Sequence, residues 1–186
     1  SRMFIPHEDN FLLVDIGGDV TDVSLVRDGA LAQSVSFPKG SRTVLRSLSK
    51  TLGRSLDEAA ILWKLAMECK TGGPVGAACD HILSDARKDW MRSFIATMQS
   101  FTNAGSALGT VVLSVDSDAK EWFVSALEHA DFHPHTHGGK GFSLVVLDAA
   151  LLHGSVVFGP NVPRDPSLMI EIIGAGYLKR ARSMVQ

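Results

Sequence analysis

Apolar residues along this chain recur with two different periods. Phe11 to Val14 is a short apolar run that ends at Asp15. Val20, Val23 and Leu25 then alternate with Asp22 and Ser24, the period of a half-buried strand. Asp28-Gly29 is a hairpin signal, and Ala30 to Phe37 reads as a third strand closed by Pro38-Lys39-Gly40. With Gly17-Gly18-Asp19 as the other turn, this text predicts an antiparallel meander. After Ser41 the spacing becomes helical: Val44, Leu45, Leu48 and Leu52 share a face, and Gly53 supplies a stop. Ser55 and Glu58 form a capping box for a second helix, with Leu62, Leu65, Ala66 and Cys69 on one face. Lys70 to Gly76 has loop composition, and a long helix over 79–104 carries Leu83, Ala86, Trp90, Phe94, Met98 and Phe101 as its stripe.

The third portion returns to strand text. Thr110 to Val115 is a β-branched run of the kind buried on both faces of a parallel sheet. Asp116, Ser117 or Asp118 can cap the next helix, whose apolar face is Phe123, Ala126, Leu127 and Ala130. A polar loop over 129–141 leads to a strand at 142–147 and an edge strand at 153–158. Asp165-Pro166 opens a final helix reaching Tyr177. A meander followed by parallel strands with helical crossovers is an α/β fold, a mixed sheet flanked by helices.

Composition narrows this little. A chain of 186 residues suits one domain, and a formal charge of −2 favours neither nucleic acid nor an anionic membrane. Cys69 and Cys79 lack metal or redox spacing, so both read as reduced packing residues in helical text, as in a cytoplasmic protein. No apolar run approaches the roughly 18 residues of a membrane span, and Phe11 to Val14 is too short for a secretion signal. Ser1-Arg2-Met3 reads as an expression remnant ahead of a trimmed fragment.

Candidate chemistry concentrates between Asp15 and Asp22. Glycines at 17 and 18 allow close approach of the backbone and positive φ, and successive turn amides can form an anion nest. Asp15 at a strand end suits a hydrated Mg²⁺ or a water, with the Thr21 hydroxyl beside it; together these fit a metal-bound polyphosphate. The competing reading is a plain hairpin turn capped by Asp15. His133, His135 and His137 alternate on an extended segment near His129, a pattern able to hold Zn²⁺ or Ni²⁺ or to be a solvated loop. Trp63, Trp90 and Trp122 lie on apolar helix faces and read as core. Met91, Phe94, Met98 and Phe101 either close a helical hairpin against 56–69 or present a docking face.

The run Asp15-Ile-Gly17-Gly18-x-x-Thr21-Asp22, followed by a strand, Arg27-Asp28-Gly29, another strand and Pro38-x-Gly40 before a helix, resembles the second phosphate motif of the actin, Hsp70 and FtsA superfamily. It is most similar to the second domain of bacterial FtsA- and PilM-type proteins. The resemblance implies a ribonuclease H-like, actin-like ATPase half over 1–186, with a five-stranded mixed sheet and a helical inserted subdomain over 55–104. It assigns nucleotide contacts to Asp15, Gly17, Gly18, Asp19, Val20 and Thr21, catalytic roles to Asp15 and Thr21, and Mg²⁺ to Asp15 through bound water. It implies ATP as cofactor and a missing first domain, or a partner chain, as the other half of the cleft. The corresponding function is a nucleotide-controlled cytoplasmic scaffold for cell division or type IV pilus assembly, peripheral to the inner membrane through other cytoplasmic proteins or self-association.

Three departures point the other way. Asp19 stands where the family has glycine, and its carboxylate would repel phosphate unless a metal or Lys39 lies close. The stretch Leu113 to Ser117 lacks the family's adenosine Gly-Gly pair. The first phosphate loop is not in this sequence, so this chain alone is expected to be inactive as an ATPase and to bind nucleotide weakly or not at all. The alternative function is a degenerate actin-like module that keeps the fold for protein–protein contact; a sugar- or metabolite-kinase half has no sugar-binding motif to support it.

Overall fold

The computed structural model describes residues 10–28, 30–102, 109–129 and 143–147. Its elements follow the order β1 (Phe11–Ile16), β2 (Thr21–Arg27), β3 (Ala30–Phe37), α1 (Ser41–Leu52), α2 (Leu56–Met67), α3 (Gly73–Thr102), β4 (Thr110–Val115), α4 (Lys120–Glu128) and β5 (Ser143–Val146). The strands form one mixed sheet in the order β3-β2-β1-β4-β5. The meander is antiparallel, while β4 pairs parallel with both β1 and β5.

Strand periodicity decides what each face of the sheet carries. Val14 faces Val23 on one side and Leu113 on the other, and Leu12 likewise faces Leu25 and Val111. These residues are fully or almost fully buried in the main core. Val44 and Leu48 of α1, Phe94, Met98 and Phe101 of α3, and Phe123 and Leu127 of α4 pack into that same core. Each such side chain contributes about 1.5–3 kcal/mol on burial, so the helices are held to the sheet chiefly by this face. Trp90 is the hub: it stacks on Phe94 at 5.3 Å and meets Phe123 edge-on at 5.1 Å and Phe37 at 6.0 Å. The opposite face carries the row Ser36, Asp22, Asp15 and Ser114 in register across four strands, with a small cluster of Phe11, Val112 and Leu147 further along.

Most expected elements are present, with local corrections. The long helix starts at Gly73 and not near 79. Gly73, at φ +66°, turns the chain into the helix, and Pro74 sits in the first turn, where a missing N–H goes unused. Cys69 is not a packing residue: α2 ends at Met67, and Cys69 follows exposed at φ +53°. Cys79 is buried, as expected, and burial pushes its thiol pKa up. None of Asp116, Ser117 or Asp118 caps α4; Ala119 holds that position with no side-chain cap, because Ala119 N–H closes a turn onto the Asp116 carbonyl at 3.0 Å. All three tryptophans are buried. Met91, Phe94, Met98 and Phe101 are buried as well and present no docking face. The capping box of α2 forms, with Glu58 N–H to Ser55 Oγ at 3.2 Å and Ser55 N–H to Glu58 Oε2 at 2.9 Å. His133, His135 and His137, the edge strand at 153–158 and the final helix lie outside the described residues. Among the described residues no helix is long and apolar enough to cross a membrane.

Candidate functional site

Strand order reverses at β1, where the chain leaves toward β2 on one side and returns through β4 on the other. The crevice outside the carboxyl ends of parallel neighbours at such a point is where open α/β sheets bind ligands. Here those ends are Ile16 and Val115. The turn Gly17 to Val20 and the start of α1 lie at the same edge of the sheet.

The turn is fixed from two sides. Gly17 N–H donates to the Val20 carbonyl at 2.9 Å. The carbonyls of Gly17 and Gly18 accept from Ser41 N–H at 3.0 Å and Arg42 N–H at 2.7 Å, so the first turn of α1 is seated directly on the loop. This satisfies helix-end donors that would otherwise need a cap. It also explains Gly40. A Cβ there would lie 2.2 Å from the Gly17 oxygen and 2.7 Å from the Gly18 oxygen, both backbone atoms. Gly17 and Gly18, expected to adopt positive φ, do not; their service is closeness, since a Cβ on Gly18 would lie 3.2 Å from the Arg42 side chain. The amides of Gly18, Asp19 and Val20 donate to no group among the described residues, and Val20 is partly exposed.

Asp19 is not left to repel an anion. Arg46 holds its carboxylate at 2.6 Å and Arg42 at 3.3 Å, and the Arg46 hydrogen bond leads in holding its pKa below the usual carboxylate range. One carboxylate and two guanidiniums leave this corner with net positive charge. Lys39, expected to offset Asp19, instead pairs with Asp89 at 2.7 Å. Arg42 and Arg46 were missed in the sequence, although arginines in the first turns of a helix oppose its dipole and so signal a separate purpose.

Thr21 is fully buried. Its hydroxyl donates to the Lys39 carbonyl at 2.6 Å and accepts the Trp90 indole N–H at 3.1 Å. These bonds tie the turn, the β3–α1 connection and α3 together, and they occupy the hydroxyl within the fold. Asp15 is partly buried and directly opposite Asp22 across β1 and β2. Asp22 accepts a hydrogen bond from Ser36 Oγ. A divalent cation at that row would meet two opposed carboxylates, the donor type that Mg²⁺ selects. Among the described residues no group of three or more His, Cys, Asp or Glu side chains has metal-site geometry.

A mixed five-stranded sheet with this order, covered by helices and closed at its switch point by a Gly-Gly turn, is the ribonuclease H-like fold of the actin-like ATPases. Solved structures that share it include the following two. The ethanolamine utilization protein EutJ from Carboxydothermus hydrogenoformans superposes with a TM-score of 0.51 at 15% identity, covering 79% of this chain and 47% of that one. A PilM–PilN type IV pilus biogenesis complex gives 0.53 at 14% identity, covering 79% of this chain and 38% of that one. The chain thus spans less than half the length of either. No family model matches the sequence, and no curated protein does.

Proposed function

We propose that residues 1–186 are the second-domain half of an FtsA/PilM-like actin-fold protein, with 55–104 as its helical insert, and that the Gly17–Val20 turn holds the phosphates of Mg-ATP. The observation that carries this reading is the turn's position at the sheet's switch point, with three amides that donate to no group among the described residues beside the positive corner of Asp19, Arg42 and Arg46. That net charge offsets the repulsion Asp19 would otherwise bring. Asp15 is the residue to hold Mg²⁺ through water. Gly17 and Gly18 give the approach, and buried Thr21 shapes the turn and does not touch the ligand. The matching scaffold role, in cell division or pilus assembly at the cytoplasmic face of the inner membrane, is supported only by likeness in fold to the PilM–PilN complex, which also suggests a protein partner.

The test is an NMR titration of the chain with Mg-ATP. Amide shifts confined to 15–22 and 40–46, abolished in the Arg42→Ala/Arg46→Ala double variant, are the expected result. A second reading, a module that keeps the fold for protein contact without nucleotide, is favoured by the internal commitment of the Thr21 hydroxyl and the Asp19 carboxylate. No shift at millimolar Mg-ATP would select it.

A further inference from the structure

Away from the turn, a cavity of about 340 Å³ opens between the end of α2, the first half of α3 and the start of α4. Its wall mixes apolar Met67, Leu83 and Trp122 with Asp80 and Arg87, and Cys69 also lines it. Two N–H donors on its lining residues, Nε of Arg87 and Nε1 of Trp122, are buried with no partner among the described residues, and so is Nε1 of Trp63, which lies behind Trp122. Trp63 and Trp122 meet edge-on at 5.8 Å, and both are more than nine-tenths buried. Buried donors are nearly always satisfied, so the two on the cavity's lining point to an acceptor there. Neighbouring charges on α3 are internally paired, Lys88 with Asp85 and Arg92 with Asp89. Asp80 and Arg87 form no salt bridge among the described residues, and both line the cavity.

We propose that this cavity binds a small, flat-bodied carboxylate. Its oxygens take the N–H groups of Arg87 and Trp122, its body lies along Leu83 and Met67, and Asp80 receives a donor at the opposite end. The Arg87 guanidinium lies 5.7 Å from the Trp122 ring centroid and covers the ring; turning off it admits the ligand. Seven residues separate Asp80 from Arg87, about 10 Å along a helix, so the site selects molecules with the two functions at opposite ends. A cavity of this size lies within the usual range for small-molecule sites.

The three indole N–H resonances give a direct readout, because the Trp90 N–H is already bonded to Thr21 and serves as internal control. Benzoate and 4-(aminomethyl)benzoate should move the Trp122 resonance and leave that of Trp90 in place, with the amino acid binding several-fold tighter. Benzylamine, which lacks the acceptor, should not move it. Arg87→Leu should weaken both carboxylates at least tenfold, and Asp80→Asn should remove only the advantage of the amine. Both carboxylates should slow alkylation of Cys69 at the mouth. The proposal is overturned if neither carboxylate moves Trp122 at about 10 mM, a level that detects even millimolar affinity. Movement by adenosine but not by benzoate overturns it too, by assigning the cavity to a nucleotide base.

Discussion

Thr21 lies at the point where the turn, the β3–α1 connection and α3 meet, and its hydroxyl serves two partners at once. In Thr21→Val the shape survives, but the Trp90 N–H and the Lys39 carbonyl are left buried and unpaired. Leaving buried groups unsatisfied costs about 1–3 kcal/mol each. Urea denaturation should therefore show a loss of about 2 kcal/mol or more, largely recovered in Thr21→Ser; a loss below about 0.5 kcal/mol would contradict the network. Asp19 makes a pH-dependent contribution of the opposite location, on the surface. Its folded pKa is depressed by Arg46 and Arg42, so its stabilisation is present above the unfolded value, about 3.9, and is lost as pH falls through the folded value. Thermal melts of Asp19→Asn should differ from the native chain at neutral pH and converge with it in acid. Persistence of the gap at pH 2 would rule out the ion pairs as its source. Asp19 was legible as an anomaly but its partners were not, since Arg42 and Arg46 lie 23 and 27 residues away and only the seating of α1 on the turn brings them near.

At the scale of elements, legibility followed the strength of local signals. Thr110 to Val115 and the Val23-Ser24-Leu25 alternation were readable because β-branched runs and period-2 patterning report burial directly; Val20, expected on the same face, is exposed ahead of β2, and buried Thr21 takes its place. The stop of α1 was readable because Gly53 adopts φ +63°, the left-handed cap that glycine favours. The end of α2 was hidden because the same device is built there without glycine. Cys69 N–H bonds to the Ala66 carbonyl at 3.0 Å and Lys70 N–H to the Leu65 carbonyl at 2.8 Å, a Schellman motif with cysteine in the left-handed position. A side chain in that conformation costs roughly 1–2 kcal/mol. Cys69→Gly should therefore raise the unfolding midpoint in urea by the equivalent of about 1 kcal/mol, and an unchanged or lowered midpoint would contradict the strain. The start of α3 was misread for a related reason: Gly72-Gly73-Pro74 has loop composition, yet Pro74 falls in the one part of a helix that tolerates it.

For the molecule as a whole, fold and ligand affinity separate. The mixed sheet was legible in the alternation of strand and helix text, whereas its reversal at β1 and the charge balance at the turn depended on tertiary docking and could not be read. The site in hand consists of one turn, one aspartate at a strand end and a positive corner whose two arginines both pair with Asp19 and are exposed. The glycine-free turn after β4 adds a second restriction, because Asp116 to Ala119 close on themselves through a backbone bond and Ala119 is buried. That leaves no flat backbone step for a base at this end of β4. A dissociation constant of 10 μM requires roughly 7 kcal/mol. Exposed ion pairs supply about 0–1 kcal/mol each and turn amides about 0.5–1.5 kcal/mol each, which does not reach that sum. Calorimetry of the 186-residue chain with Mg-ATP should therefore give a dissociation constant weaker than about 10 μM. Salt should weaken it further, because the attraction comes from solvent-facing arginines that an ionic atmosphere screens. A constant of about 10 μM or tighter, insensitive to salt, would mean that this turn alone forms a complete phosphate site and that the cleft needs no second half.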